Sequence, residues 1–325
     1  MSERSCGPSV GVSTNAEMID GDLGRFAEEL RLVAASGADY AEIILHSLDL
    51  VVDGHLVERR LDEVKRILST FSLGYTLHLP FILNLLDHER LGVYLAVFRS
   101  GLRFASEIRC PTVVYHASAA TITPAILASY YEPRYGTRDP ARLRDVLFEE
   151  DAERLALLAD EAASLGVKIG VENPIRYDLA DVLSYGYEAE ALAAQARRVG
   201  SPALGVTLDF GHLFLASRTF GFDYLEAVRT LAPLAVHAHV HDNFGRPDSG
   251  EPYMQRLPYG LGDLHLPPGE GLVPFDKALP ILLGADFKGV LMLEIEFRFW
   301  PYFPREVARF RERMAVAERV AGIYH

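Results

Sequence analysis

The sequence is poor in cysteine and has no long apolar run, and both absences narrow the class of protein. Its two cysteines, Cys6 and Cys110, are too few for the disulfide framework of a small secreted domain. No stretch approaches the roughly 20 apolar residues that a membrane-spanning helix needs. The first residues, MSERSCGPSV, lack the charged start and apolar stretch of a secretory signal. We therefore expect a cytoplasmic protein without a membrane segment.

Basic residues are also few. The chain has 32 Lys and Arg against 45 Asp and Glu, which gives a formal net charge of −13. Broad electrostatic binding of DNA or RNA depends on basic side chains that neutralise phosphates. The charge balance therefore disfavours nucleic acid as a partner without excluding it, because a local basic patch or bound cations can reverse a net value.

What the sequence has in abundance is short apolar runs that alternate with longer amphipathic segments. The runs cover residues 8–13, 39–46, 74–79, 111–116, 166–172, 203–209, 234–241 and 289–296. This strand-then-helix alternation, repeated eight times in 325 residues, predicts an α/β fold of the (β/α)8 TIM-barrel type. The main alternative is a doubly wound open sheet, which is disfavoured because the Gly-rich turn of a dinucleotide-binding sheet is absent. We expect a single domain over residues 1–325, with residues 1–7 as a flexible N-terminus.

Helices and long connections follow from the same pattern. Capping residues and helical periodicity predict helices within 21–37, 87–108, 149–166 and 222–233. Two connections, 117–148 and 243–271, are unusually long and follow predicted strands. They should lie at the C-terminal face of the barrel, where such folds build their active sites.

Polar side chains occur at the inward-facing tips of several predicted strands. Alternate strand residues share a face, and the apolar residues suit the outer face that packs on helices. The metal-capable side chains left facing inward are His78, His116, Glu172, Asp209 and Glu294, together with His237, His239 and His241 of one strand. A single one could be a structural polar group. Many at one level indicate a metal site, because a carboxylate in an apolar barrel is costly unless paired or metal-bound, and mixed carboxylate and imidazole ligands suit Zn²⁺, Mn²⁺, Fe²⁺ or Co²⁺.

These strand ends form motifs that resemble the xylose isomerase-like TIM-barrel superfamily over residues 8–300. That group includes sugar and sugar-phosphate isomerases and epimerases and the endonuclease IV type of AP endonuclease (AP endonuclease family 2). The matching segments, in chain order, are HLPFILNL from His78, VVYH ending at His116, IGVENP around Glu172, LDFGH with Asp209 and His212, HVHD with His239, GDLHLPPGEG with Asp263 and His265, and MLEIE with Glu294.

The isomerase branch implies one divalent ion, Mn²⁺, Zn²⁺, Co²⁺ or Fe²⁺, held by Glu172, Asp209, His239 and Glu294. Glu172 and Glu294 would be the catalytic pair on either side of the substrate carbon. Removing a proton next to a carbonyl creates an enediolate whose charge a Lewis acid stabilises. A carboxylate on each side can take the proton from one face and return one to the other.

The endonuclease branch implies up to three zinc ions and nine ligands. The additional ligands would be His78, His116, His212, Asp263 and His265, all of which are present. Phe81 and Ile82 lie where that branch places groups that wedge into bent DNA. A metal-dependent dehydratase or lyase of the same fold is a third alternative, and a non-catalytic metal-bound barrel is disfavoured by the intact glutamate pair.

The acidic charge and the aromatic, Pro-rich loops favour an isomerase or epimerase of carbohydrate metabolism with a small sugar-like substrate. The length of the 243–271 connection also suggests a covered small-molecule site. Candidate substrate contacts are His46, expected at the inward end of the second strand, His241, Arg246 and Phe81. We expect His237 to be a packed core histidine. The resemblance also admits a homo-oligomer.

Overall fold

The structure is a computed structural model that describes residues 8–175, 180–248 and 250–323. The expected flexible segment at residues 1–7, which includes Cys6, lies outside these ranges. That the whole chain forms one domain therefore stays a prediction.

Eight parallel strands close into a barrel, so the predicted (β/α)8 fold is confirmed. The strands are β1 (Ser9–Ser13), β2 (Tyr40–Ile44), β3 (Gly74–His78), β4 (Thr112–His116), β5 (Lys168–Glu172), β6 (Leu204–Asp209), β7 (Ala235–Val240) and β8 (Val290–Leu293). Each pairs with its neighbours in sequence, and β8 pairs with β1 to close the ring. The predicted second strand is too long, because Leu45–Leu48 forms a 3₁₀ helix directly after Ile44. His46 therefore lies on that helix, not on the strand.

Helices cover the outside of the barrel. They are α1 (Leu23–Ala35), α2 (Glu58–Leu68), α3 (Leu91–Glu107), α4 (Pro140–Ser164), α5 (Ala189–Val199), α6 (Phe210–Phe220), α7 (Tyr224–Leu231), α8 (Phe275–Gly284) and α9 (Phe303–Ile323). Short helical turns occupy Ala16–Ile19, Ala232–Leu234 and Phe297–Tyr302. None of the helices in the described ranges is long and apolar enough to cross a membrane.

The long connection predicted over 117–148 contains secondary structure of its own. Short helices occupy Pro124–Ile126, Leu127–Tyr131 and Glu132–Tyr135, and a strand at Ala119–Thr121 pairs with Val182–Ser184. The predicted helix at 149–166 begins earlier, at Pro140, because the side chain of Asp139 caps it by accepting from the Ala141 N–H. Proline at the first helical position needs no hydrogen-bond partner there. The 243–271 connection contains short turns at Tyr253–Arg256 and Leu257–Tyr259.

Apolar residues on the outer faces of the strands hold the helices in place. Ile169 and Val171 of β5 are buried in the same hydrophobic cluster as Leu155 and Leu158 of α4. Burial of each such side chain contributes about 1.5–3 kcal/mol. The inner faces of the strands carry polar groups instead. The candidate site is therefore built on the polar interior of the barrel.

Two glycines of α3 provide a matched test of this packing. A methyl group at buried Gly101 would overlap the side chain of Leu79, whereas one at exposed Gly92 meets no atom within 4 Å. We expect Gly101→Ala to destabilise the protein by about 1–3 kcal/mol through overpacking. Gly92→Ala should instead be neutral or stabilise by about 0.5–1 kcal/mol, because helical glycine has excess chain entropy when unfolded. Denaturant unfolding of both variants checks this, and equal stabilities would contradict it.

Candidate metal centre

Four predicted side chains meet at the C-terminal end of the barrel. Nδ1 of His239 lies 3.4 Å from Oε1 of Glu172, 3.7 Å from Oδ2 of Asp209 and 3.5 Å from Oε2 of Glu294. His239, Glu172 and Asp209 are buried, and the Glu294 side chain is 17% exposed. The set implied by the isomerase resemblance is therefore brought together around one ring nitrogen.

A shift in strand pairing helps to produce this meeting. Val206 of β6 pairs with Ala235 of β7, but the next residue, Thr207, pairs with His237. The shift sets Asp209 opposite His239. Without the shift, Asp209 would have paired with Ala238, the residue before His239. This β-bulge re-aims the ligand-bearing end of the strand.

His78 and His116 approach Glu172 from the other side. Their Nε2 atoms lie 3.2 Å and 3.3 Å from Oε2 of Glu172. Nδ1 of His78 lies 2.7 Å from the carbonyl oxygen of Leu79, so this nitrogen carries the proton. A neutral His78 therefore turns the lone pair of Nε2 toward a carboxylate, an arrangement that needs either a second proton or a cation.

A second group adjoins the first. Nε2 of His212 and Nε2 of His265 lie 3.1 Å and 2.7 Å from the same oxygen, Oδ2 of Asp263. Their Nδ1 atoms lie 3.1 Å and 2.8 Å from the carbonyl oxygens of Asn173 and Glu294. When neutral, both rings direct lone pairs at one carboxylate oxygen. This arrangement, like that of His78, needs either a second proton or a cation.

His241 joins these two groups. Its Nε2 lies 3.1 Å from Oδ2 of Asp209, and its Nδ1 lies 3.4 Å from Oδ1 of Asp263. Its ring stacks on that of His265, with the centroids 4.1 Å apart. The side chain is fully buried. The structure thus places His241 between the carboxylates of Asp209 and Asp263, and its expected contact with substrate stays a prediction.

The charges of the site compensate each other. Burial raises the pKa of Glu172, but His239 and His116 outweigh this effect and hold the pKa well below its usual range. Burial lowers the pKa of His265, but Asp263 raises it to about 10. Carboxylates likewise hold the pKa of His239 well above its usual range, in spite of burial. His239 and His265 thus hold protons that a divalent cation would replace.

These residues fit a divalent cation. Nδ1 of His239, Oε1 of Glu172 and Oδ1 of Asp263 are buried and have no hydrogen-bond partner among the residues that the structure describes. Buried polar atoms without partners are rare and call for a bound group. Carboxylate oxygens with imidazole nitrogens are a donor set that Zn²⁺, Mn²⁺, Co²⁺ and Fe²⁺ accept.

The remaining predicted residues lie at the rim. Phe81 is 46% exposed, and its ring stacks over His116 with centroids 5.4 Å apart. The exposed ring of His46 meets the edge of Phe81 at 4.8 Å. Arg246 is exposed, and its guanidinium donates to the carbonyl of Tyr259. A cavity of about 480 Å³ beside His116 is lined by Phe81 and by Ile175.

The sequence interpretation missed Glu42. This residue lies in the middle of β2, is fully buried, and contacts both His237 and His239 across the barrel. The signal was present, because a glutamate inside the apolar run YAEII is as costly as the carboxylates that were recognised. His237 is accordingly part of a polar contact, in addition to being packed in the core.

Relatives of this chain include an uncharacterized protein of Methanocaldococcus jannaschii, 27% identical over 148 residues, or 46% of this chain and 43% of that protein. The chain thus matches less than half the length of this relative. An uncharacterized protein of Mycobacterium tuberculosis is 25% identical over 281 residues, which cover 81% of this chain and 84% of that protein.

Similar solved structures extend over almost the whole chain. A D-tagatose 3-epimerase-like protein is 21% identical with a TM-score of 0.68, over 96% of this chain and 98% of its own. An L-ribulose 3-epimerase is 15% identical with a TM-score of 0.66, over 98% of both chains. A xylose isomerase-like TIM-barrel protein from Mycobacterium smegmatis in complex with magnesium is 17% identical with a TM-score of 0.66, over 96% of this chain and 97% of its own. At these identities the likeness shows the fold.

The family comparison agrees with the barrel and with the motifs at its strand ends. The family model for the xylose isomerase-like TIM barrel matches residues 30–316. Since this match extends over most of the chain, the protein belongs to the xylose isomerase-like TIM-barrel family.

Proposed function

We propose that the protein is a divalent-metal-dependent isomerase or epimerase of a sugar or sugar phosphate, which transfers a proton at a carbon next to a carbonyl. The observation that carries this proposal is the approach of Glu172, Asp209 and Glu294 to Nδ1 of His239. The names of two similar structures, a D-tagatose 3-epimerase-like protein and an L-ribulose 3-epimerase, support it.

A divalent cation held by Glu172, Asp209, His239 and Glu294 would supply a Lewis acid that stabilises the developing enediolate charge. The roles of the two glutamates in proton transfer can be assigned from their exposure. Glu294 is 17% exposed and can reach a substrate in the mouth, whereas Glu172 is 1% exposed. We assign proton transfer on one face of the substrate carbon to Glu294, and proton transfer on the opposite face to Glu172.

The rim would exclude water and orient the substrate. The exposed rings of Phe81 and His46 lie next to each other above His78 and His116, and could pack against the apolar face of a sugar. Arg246 would need to leave the carbonyl of Tyr259 to bind an anionic group, so a phosphate contact by this residue is the weakest of the expected substrate contacts.

Glu294→Gln tests the proposed proton transfer. The amide cannot accept a proton, so we expect deuterium uptake from D₂O into ketoses and ketose phosphates to fall by about 10²–10⁴-fold. NMR of the substrate carbon measures the uptake and, by identifying the product, separates an isomerase or epimerase from a dehydratase or lyase. Glu28→Gln, at an exposed residue of α1 far from the motifs, is the control and should keep full activity. Undiminished exchange in Glu294→Gln would remove Glu294 from its role.

Metal binding is tested by thermal unfolding. A ligand that binds only the folded state stabilises it by about 2.7 kcal/mol at 100 times its Kd. We therefore expect Mn²⁺, Co²⁺ or Zn²⁺ to raise the melting temperature of chelator-treated protein. Asp209→Asn should reduce the rise, and Asp276→Asn, at a side chain that is 84% exposed, should leave it unchanged. Protein purified without chelator that contains no metal and gains no stability would contradict metal dependence.

The AP endonuclease remains the second candidate because all nine implied ligands lie in the joined groups and Ile82 is 77% exposed beside Phe81. Metal analysis combined with a nicking assay on abasic duplex DNA separates the two functions. We expect no nicking by the metal-loaded protein, since a net charge of −13 disfavours a duplex. Three bound ions with nicking activity would establish the nuclease instead.

A further inference from the structure

We propose that Glu42 is a positioning residue that determines which ring nitrogen His239 offers to the cation. The inference rests on the proposed function only in taking His239 as a metal ligand. It assigns a role to a buried carboxylate that lies one layer below the ligands and does not face the substrate.

Glu42 contacts three side chains inside the barrel. Its Oε1 lies 3.0 Å from Nε2 of His239, and its Oε2 lies 3.1 Å from Nε2 of His237. The hydroxyl of Thr76 donates to the same Oε2 at 3.0 Å. All four residues are fully buried. Strand β2 thus reaches across the barrel interior to the histidines of β7.

The two nitrogens of His239 consequently face different partners. Nε2 faces the Glu42 carboxylate, while Nδ1 faces the oxygens of Glu172, Asp209 and Glu294. The approach of Oε1 of Glu42 to Nε2 of His239 is an ion-pair contact. Because the other ring form would direct a lone pair at the carboxylate, the negative charge of the carboxylate favours the form with hydrogen on Nε2. That form leaves a lone pair on Nδ1, the nitrogen directed at the ligand oxygens.

His237 and Thr76 keep Glu42 in the required orientation. Both contact Oε2, which leaves Oε1 for His239. The rings of His237 and His239 meet edge to face, with centroids 5.2 Å apart, so each limits rotation of the other. His237 therefore supports the ligand through the shared carboxylate and through ring packing.

Glu42→Gln is the direct test. The amide is neutral and presents an NH₂ group to one of the two histidines, so that histidine loses the carboxylate charge beside its Nε2 or changes its ring form. We expect Zn²⁺ affinity, measured by competition with a chromophoric chelator, to fall by about 10–100-fold, as is usual for groups that orient metal ligands. In Zn²⁺-loaded wild-type protein, long-range ¹H–¹⁵N NMR should show hydrogen on Nε2 of His239 and Nδ1 as the zinc-bound nitrogen.

Glu29→Gln is the matched control. Glu29 is also a buried glutamate, but it lies on α1 and accepts from the backbone N–H of Asn15. This variant should keep the wild-type Zn²⁺ affinity and the wild-type nitrogen shifts of His239. Should Glu42→Gln fail to fold, Thr76→Val removes one hydrogen bond to Glu42 at nearly constant volume. It should weaken Zn²⁺ binding by roughly fivefold, as expected for one hydrogen bond.

The outcomes separate this inference from the proposed reaction, because no substrate is present. Zinc bound to Nε2 of His239 in the wild type would overturn the inference, as would wild-type affinity and ring form in either Glu42→Gln or Thr76→Val. Absence of deuterium exchange in sugars would overturn the reaction and leave the nitrogen assignment standing.

Discussion

The structure depends on the pairing of buried carboxylates with imidazoles inside a barrel whose walls are apolar. Glu42, Glu172 and Asp209 are at most 1% exposed, and isolated carboxylates at such positions would be too costly to keep ionised. Histidines from β3, β4 and β7 lie within reach of them. Pairing with imidazoles therefore offsets the cost of burying these carboxylates, and a divalent cation would do the same.

The polar groups form layers along the barrel axis. Glu42, His237 and Thr76 form the deepest layer, the ligands around Nδ1 of His239 come next, and Phe81 and His46 stand at the rim. Each layer restricts the one above it, as side chains must be held by neighbours to keep a catalytic geometry. The second group around Asp263 is joined to the first through His241, so its charge state and that of Asp209 are linked.

Sequence reasoning succeeded wherever a local pattern was enough. The period of two and the β-branched runs located all eight strands, and the inward polar tips identified the residues that converge. It failed where the structure depended on the exact end of a strand or on contacts between residues far apart in the sequence. His46 was assigned to a strand because nothing local distinguishes an extended end from a 3₁₀ turn. The short helices within residues 117–139 were not predicted, and the burial of Tyr131 of one of them in the core is a contact that no local pattern shows.

The sequence by itself determined the barrel, the identity of the metal-capable side chains and the face on which they lie, because alternation along a strand decides these features residue by residue. Only the tertiary structure decided how they combine. The bulge that sets Asp209 opposite His239 depends on the pairing of two strands. The contact of Glu42 with His237 and His239 joins β2 to β7 across the barrel interior. No local pattern encodes either relation, since both depend on contacts between separate strands of the barrel.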